Sequence, residues 1–206
     1  MSDLSLRAYS YIDRLQPQCA AHIAATAQGD VPLAGMAELF IEMAPGNEVF
    51  RVADVALKAA DVRPALQIIE REFGLLELHS AHQAEVLAAG AAVLAELGLT
   101  MADRVAPTVA SMQLITNVHP YQAQLLNKFR KGALLIPGRS LFVLEITPAA
   151  YAGLAANEAE KAATIDVVEI RAVGRFGRVF LAGTESEVGT ARDAAVATLR
   201  ELGGQV

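Results

Sequence analysis

The chain of 206 residues is 53% hydrophobic and 19% charged, contains no tryptophan, and carries a net charge of −6. Its length suits one large domain or two of about 100 residues, either able to bury a core, and a chain this apolar does not read as disordered. The 17 Lys and Arg are scattered among 23 Asp and Glu, which counts against a nucleic-acid partner, because phosphates call for a basic patch.

The opening MSDLSLRAYSYIDR has no basic segment ahead of an apolar core, so no secretory signal is expected. The single cysteine, Cys19, excludes an internal disulfide framework and fits a reducing cytosol. LRAYSYIDRL alternates as a strand, and PQCAAHIAATAQG follows as a short helix opened by Pro17 and closed by Gly29, with Cys19 a buried thiol among apolar neighbours. AELFIEMAP is a second strand, ended by Pro45. In NEVFRVADVALKAA, residues Val49, Phe50, Ala53, Ala56, Leu57 and Ala60 fall on one helical stripe, and Asn47 stands where an N-cap would. VRPALQIIERE and GLLELHS form a predicted strand pair around a turn at Phe73-Gly74. The alanine-rich helix over 81–97 is too short for a membrane span and carries Glu85 and Glu96, so it reads as a packed helix. LTMADRVAPT (99–108) is the predicted linker. With no membrane segment, a mean hydropathy of +0.34 leaves apolar surface to place, which points to an oligomer.

The second half repeats the first. At a spacing of 103 residues Pro17 meets Pro120, Gly29 meets Gly132, Gly35 meets Gly138, Glu42 meets Glu145 and Pro45 meets Pro148. The register continues without a gap, so that Lys58 meets Lys161 and Phe73-Gly74 meets Phe176-Gly177. Matches on turn glycines, prolines and helix faces mark two copies of one unit, 1–104 and 105–206, each alternating strands and helices with helices over one sheet. The copies differ at one telling place: IIEREFG holds Glu70 and Arg71 where RAVGRFG holds Val173 and Gly174.

ADVALKAA followed by a strand and Phe-Gly, with ANEAEKAA and AVGRFG in the second copy, resembles the bacterial microcompartment shell domain. The leading LRAYSYIDRLQPQCAA resembles the circularly permuted form of that domain. Over residues 6–203 the chain is similar to the tandem-domain, gated trimeric shell proteins typified by the double-domain member of the alpha-carboxysome. The resemblance implies a ferredoxin-like α/β (α+β) fold, permuted and duplicated, in a non-catalytic structural protein of a cytoplasmic bacterial organelle. Three chains would form a pseudohexameric tile, such tiles commonly stacking face to face as a dimer of trimers. The tile would sit among other shell proteins and pass small metabolites through a central pore. The resemblance further implies a tile-edge role for Lys58 and Lys161, and a pore gate made of Glu70 and Arg71. Phe73, Gly74, Phe176 and Gly177 would support the pore loops, with Val173 and Gly174 leaving the gate room. An exposed Glu-Arg pair is worth only about 0–1 kcal/mol, so open and closed arrangements would lie close enough to exchange.

Little else in the sequence suggests chemistry. GxSxG, GxxxxGK[ST], HExxH and a GxGxxG after a strand are all missing, so neither an enzyme nor a cofactor is expected. No metal is expected either: His79 and His82 straddle a strand end and a helix start without a further ligand at useful spacing, and read as surface residues. His22 and His119 have no partner visible in the sequence, and Glu42 with Glu145 reads as repeated architecture. The competing reading is a soluble ferredoxin-like regulatory module binding a small ligand between the duplicated units. A mass of one or two chains, as against three or six, separates the two.

Overall fold

The computed structural model describes residues 4–205. The first unit runs β1 (Ser5–Ile12), α1 (Pro17–Thr26), β2 (Ala37–Ala44), α2 (Glu48–Ala59), β3 (Arg63–Glu70), β4 (Phe73–Ser80) and α3 (Gln83–Leu97). The second runs β5 (Thr108–Ile115), α4 (Pro120–Asn127), β6 (Ser140–Thr147), α5 (Tyr151–Ala162), β7 (Asp166–Arg171), β8 (Gly177–Gly183) and α6 (Glu185–Glu201). Each unit folds its strands into one antiparallel sheet, ordered β1-β2-β4-β3 and β5-β6-β8-β7. The spacing of 103 holds at both ends of β1 and β5, β2 and β6, and α2 and α5.

Alternation along the strands sorts side chains to two faces. Leu39, Ile41 and Met43 of β2, with Leu76 and Leu78 of β4, point to α2 and α3 and pack on Val49, Val52, Val86 and Val93. The opposite face carries Ala8, Ile12, Phe40 and Leu75, which join Cys19 and Ile23 of α1. That second layer does not end at the unit boundary. Phe142, Leu144, Tyr151, Ala155 and Ile170 of the second unit belong to the same core, so one apolar interior spans both copies. Phe40 is 1% exposed within it, a burial worth roughly 2–3 kcal/mol.

The seam between the units is polar at its rim. The first amides of a helix lack partners within the helix, and for α1 they are supplied from α5. Gln18 N and Cys19 N donate to the Glu160 carboxylate at 2.8 and 3.0 Å, and Gln16 N donates to Asn157 Oδ1 at 2.8 Å. The Gln18 side chain donates to Ile165 O and accepts from Val167 N, so α1 also grips β7. The predicted linker folds into a clamp: Val105 N donates to Arg7 O, Ala106 N to Gln205 O, and Tyr151 Oη to Val105 O.

Candidate functional site

β3 and β4 pair down to Ile69 with Gly74 and Glu70 with Phe73, which leaves Arg71 and Glu72 as a two-residue turn. The turn therefore comes two residues earlier than the Phe-Gly signal suggests. Gly74 opens β4 for a packing reason: a Cβ there would run into the carbonyl oxygen of Gly46, and Gly177 is held in the same way against Ala149 O. Arg71 has φ of +56°, a left-handed conformation that costs a non-glycine residue about 1–2 kcal/mol. The hairpin thus presents a long cationic side chain where glycine would fit at lower cost.

The corresponding connection in the second unit is longer, spanning 172–176 between β7 and β8. Gly174 takes φ of +91°, and a Cβ on it would lie 3.1 Å from Glu70 Oε1. The fold thereby brings both loops to one place within a single chain. Glu70, Arg71, Glu72 and Phe73 line a hollow of about 130 Å³ with Gly174 and Arg175. Glu70 and Arg71 are exposed, and among the described residues neither forms an ion pair. The Glu-Arg pair anticipated from the sequence is not made in this state, and the Glu70 carboxylate rests on Gly174. Val173 is partly buried against the shared core, so it anchors its loop while Gly174 leaves the room. Behind both loops, a cavity of about 350 Å³ lies between the units, with Glu70 and Val173 on its rim.

The roots of the two loops are held by ion pairs whose arginines, Arg7 and Arg178, spacing alone did not single out. Arg7 of β1 stacks over the Phe73 ring at 3.8 Å and bonds Glu42 at 2.7 Å, and Glu42 accepts from Ala150 N of the second unit. Burial raises the Glu42 pKa above the usual carboxylate value, the bonds from Arg7 and the amides of Ala150 and Ala149 opposing it. In the second unit Glu145 bonds Ser111 and Arg178 instead, and these two hold its pKa below the usual value despite burial. The recurrence of Glu42 and Glu145 was legible, but their arginines stand at unrelated repeat positions.

The two lysines have unequal surroundings. Lys58 is 74% exposed at its side chain and, among the described residues, pairs only with Asp54, one turn away. Lys161 is 28% exposed and bridges to Asp13 of the first unit and to Glu158. His82 is exposed as expected, but His79 is 1% exposed, because a residue on the inner face of β4 lies beneath the chain that follows α1. His22 is also buried, and its Nε2 accepts from Ile170 N across the seam, a partner invisible to local spacing. His119 accepts from Tyr121 N at the start of α4. Cys19 is free and buried. Asn47 occupies the N-cap position of α2 without a side-chain capping bond. Among the described residues no helix is long and apolar enough to cross a membrane.

Comparison with known proteins decides the family. Residues 6–103 match the model for the CsoS1D N-terminal domain. The chain is 50% identical to carboxysome shell protein CcmP of Synechococcus elongatus over 98% of its length and 95% of that protein's. It is 42% identical to carboxysome shell protein CsoS1D of Hydrogenovibrio crunogenus, over 97% and 98% of the two chains. The chain belongs to the tandem-domain microcompartment shell proteins. Among solved shell proteins, the fused permuted hexameric protein MSM0275 from the RMM microcompartment superposes with a TM-score of 0.94 at 44% identity, covering 98% of this chain and all of that one. The double-ringed trimeric shell protein MSM0271 gives 0.95 at 38% identity, covering 98% and 99%. This tandem-domain shell protein is accordingly a structural component of a microcompartment shell that works by oligomeric assembly, and not an enzyme.

Proposed function

We propose that three copies of this chain close head to tail into a pseudohexameric shell tile, with Glu70 and Arg71 gating a central opening for small metabolites. The observation that carries this reading is the seam inside the chain. There α1 of the first unit sits on α5 and β7 of the second. A shift of 103 residues sets α4 against α2 and β3 of the next chain, and those are surfaces that the single chain leaves bare. Tyr121 is 73% and Leu125 59% exposed on α4, and Phe50 is 56% and Leu57 45% exposed on α2.

The sizes agree as well. Within the chain Phe40 fills the space over Gly153, where a Cβ would come within 2.6 Å of its ring. The equivalent positions are Val143 and Phe50, so the large and small partners trade places in the seam between chains. Glu42 accepts from Ala150 N inside the chain, and by the same shift Glu145 reaches Asn47 N of the next. A head-to-tail interface forms a ring when its rotation closes, and three two-unit chains supply six positions. We take the units to divide at Arg104 and Val105, within the clamped linker.

In that ring three Arg71 hairpins alternate with three loops over 172–176. Free guanidinium groups converging on an axis suit carboxylate or phosphate groups of passing metabolites. Lys58, projecting from α2, serves contact with neighbouring tiles or other shell proteins, and two tiles stack to give six chains. Sedimentation should return three or six times the chain mass of 21.8 kDa. Electron microscopy of Arg71→Ala should show an intact ring with an altered opening. Hairpins directed away from the symmetry axis would refute the gate, and a mass of one or two chains would favour a small regulatory module.

A further inference from the structure

The first unit hides a polar cluster on the sheet face beneath α1. Glu38 and His79 are direct cross-strand partners on β2 and β4, and Glu77 stands two residues before His79 on the same face. All three are at most 1% exposed. Glu77 accepts from Ala65 N at 2.6 Å, at the bulge in β3, and lies 2.9 Å from His79 Nδ1. His79 Nε2 faces Asp30 Oδ2 at 3.5 Å, in the segment after α1 whose Gly29 and Asp30 amides donate to Ala65 O and Pro64 O. The same cluster therefore touches β2, β4, the β3 bulge and the chain leaving α1. Cys19 of α1 lies near enough to feel the Glu38 charge, and on β1 Ile12 pairs with Glu38 while Ser10, on the same face, pairs with Phe40. Arg63, opposite His79 on β3, is exposed, and among the described residues no lysine or arginine forms an ion pair with Glu38, Glu77 or His79.

Neither oxygen of Glu38 has a hydrogen-bond partner among the described residues, and Ser10 Oγ has none either. A buried carboxylate does not remain ionised without a compensating charge. His79 can compensate one carboxylate, and Glu77 already takes that place. Glu38 is left with a carboxylate neighbour, the arrangement in which one proton is retained. Burial first, and then the Glu77 charge, hold the Glu38 pKa well above the ordinary value. Burial works against a charge on His79, but Glu77 and Asp30 outweigh it and the net shift is upward.

The second unit is an internal comparison. Its equivalent residues are Leu141, Phe180, Ala182 and Ala133. The first three pack in an apolar cluster with Leu126, Leu135 and Val168. The fold is thus built equally well with no ionisable group at these sites, and buried polar groups are no route to extra stability. We infer that Glu38, Glu77 and His79 form a proton-holding latch, present in the first unit alone, that seats α1 and the β3 bulge while protonated and loosens them when a proton is lost. Loss of the proton that Glu38 retains puts a second carboxylate charge under α1, the helix whose Gln18 and His22 grip β7.

Both raised groups act in one direction. Each stabilises the fold fully below its ordinary pKa and loses that contribution as pH rises through its folded value, so the latch weakens with rising pH. Glu38→Gln keeps the shape and removes the titration. Within the window above the ordinary carboxylate pKa, each pH unit should shift folding tenfold against the wild type relative to this variant, about 3–5 °C in Tm for a chain of this length. Difference infrared spectra of the assembled wild type at neutral pH should contain the carbonyl stretch of an un-ionised acid, absent in Glu38→Gln. Parallel Tm curves from pH 5 to 9, or no such band in the wild type, would overturn the latch. Should Glu38→Gln fail to fold, the triple variant Glu38→Leu, Glu77→Phe, His79→Ala takes its place, with the same shallower slope expected and a wild-type slope fatal.

Discussion

Phe50→Ala tests the ring directly, because this side chain is half bare in one chain and central to the proposed seam between chains. A phenylalanine buries on the order of 200 Å² when enclosed. With 56% of Phe50 exposed, the seam would cover roughly 100 Å² of it, worth about 2.5 kcal/mol at 25 cal/mol per Å². Each seam should weaken close to a hundredfold, and three seams act together in a closed ring. In a protein that remains monomeric, the same truncation at a half-exposed site should move stability by about 0.5 kcal/mol. Sedimentation over a range of concentrations separates the outcomes: ring dissociation at concentrations where the wild type stays assembled, against no change. Gly153→Ala is the matched perturbation of the seam inside the chain. Its helix-propensity gain of about 1 kcal/mol is opposed by contact with Phe40 at 2.6 Å, and overpacking a core costs about 1–3 kcal/mol. That variant should unfold at lower temperature without a new dependence on concentration. If Phe50→Ala leaves the assembled mass and its dissociation untouched, the 103-residue shift does not describe how chains meet.

Arg71→Gly should raise stability by about 1 kcal/mol, because glycine adopts the left-handed conformation freely, while ring mass stays constant and passage of anionic metabolites changes; an unchanged Tm would remove the strain argument. Gly174→Val should lower Tm by several degrees and displace Glu70, since its Cβ would press on that carboxylate from a backbone at φ +91°, a result that electron microscopy of the ring can check. Arg7→Met should cost about 3 kcal/mol by leaving the Glu42 carboxylate, 2% exposed, without its guanidinium, and adding Glu42→Gln should recover part of the loss in thermal unfolding. Lys58→Ala should weaken assembly of tiles into sheets with the tile itself intact, whereas Lys161→Ala should act on the chain's own seam through Asp13, and identical behaviour of the two would contradict their different surroundings.

The duplication, the order of strands and helices in each copy, and the loop pair that distinguishes the copies were all legible from residue spacing. These depend on chain-local rules: alternation in strands, the 3.6-residue stripe of α2, and glycines where two backbones approach. The turn at Arg71-Glu72 was misplaced because Phe-Gly looks like a turn signal, yet Gly74 is required by Gly46, some thirty residues away in the chain. His79 and His22 looked like surface groups or unpartnered ones because their partners, Asp30 and Ile170, arrive only when the sheet faces are covered.

Sequence alone therefore determined what each copy is, since a repeated pattern of apolar periodicity and turn residues specifies the same unit twice. Tertiary structure decided how the copies are used: that α1 covers its own sheet and also seats on the other unit, that Glu70 comes to rest on Gly174, and that one copy buries carboxylates where the other buries Leu141 and Phe180. The physical reason is that periodicity states which face of an element is covered, while the identity of what covers it depends on contacts between residues more than a hundred positions apart.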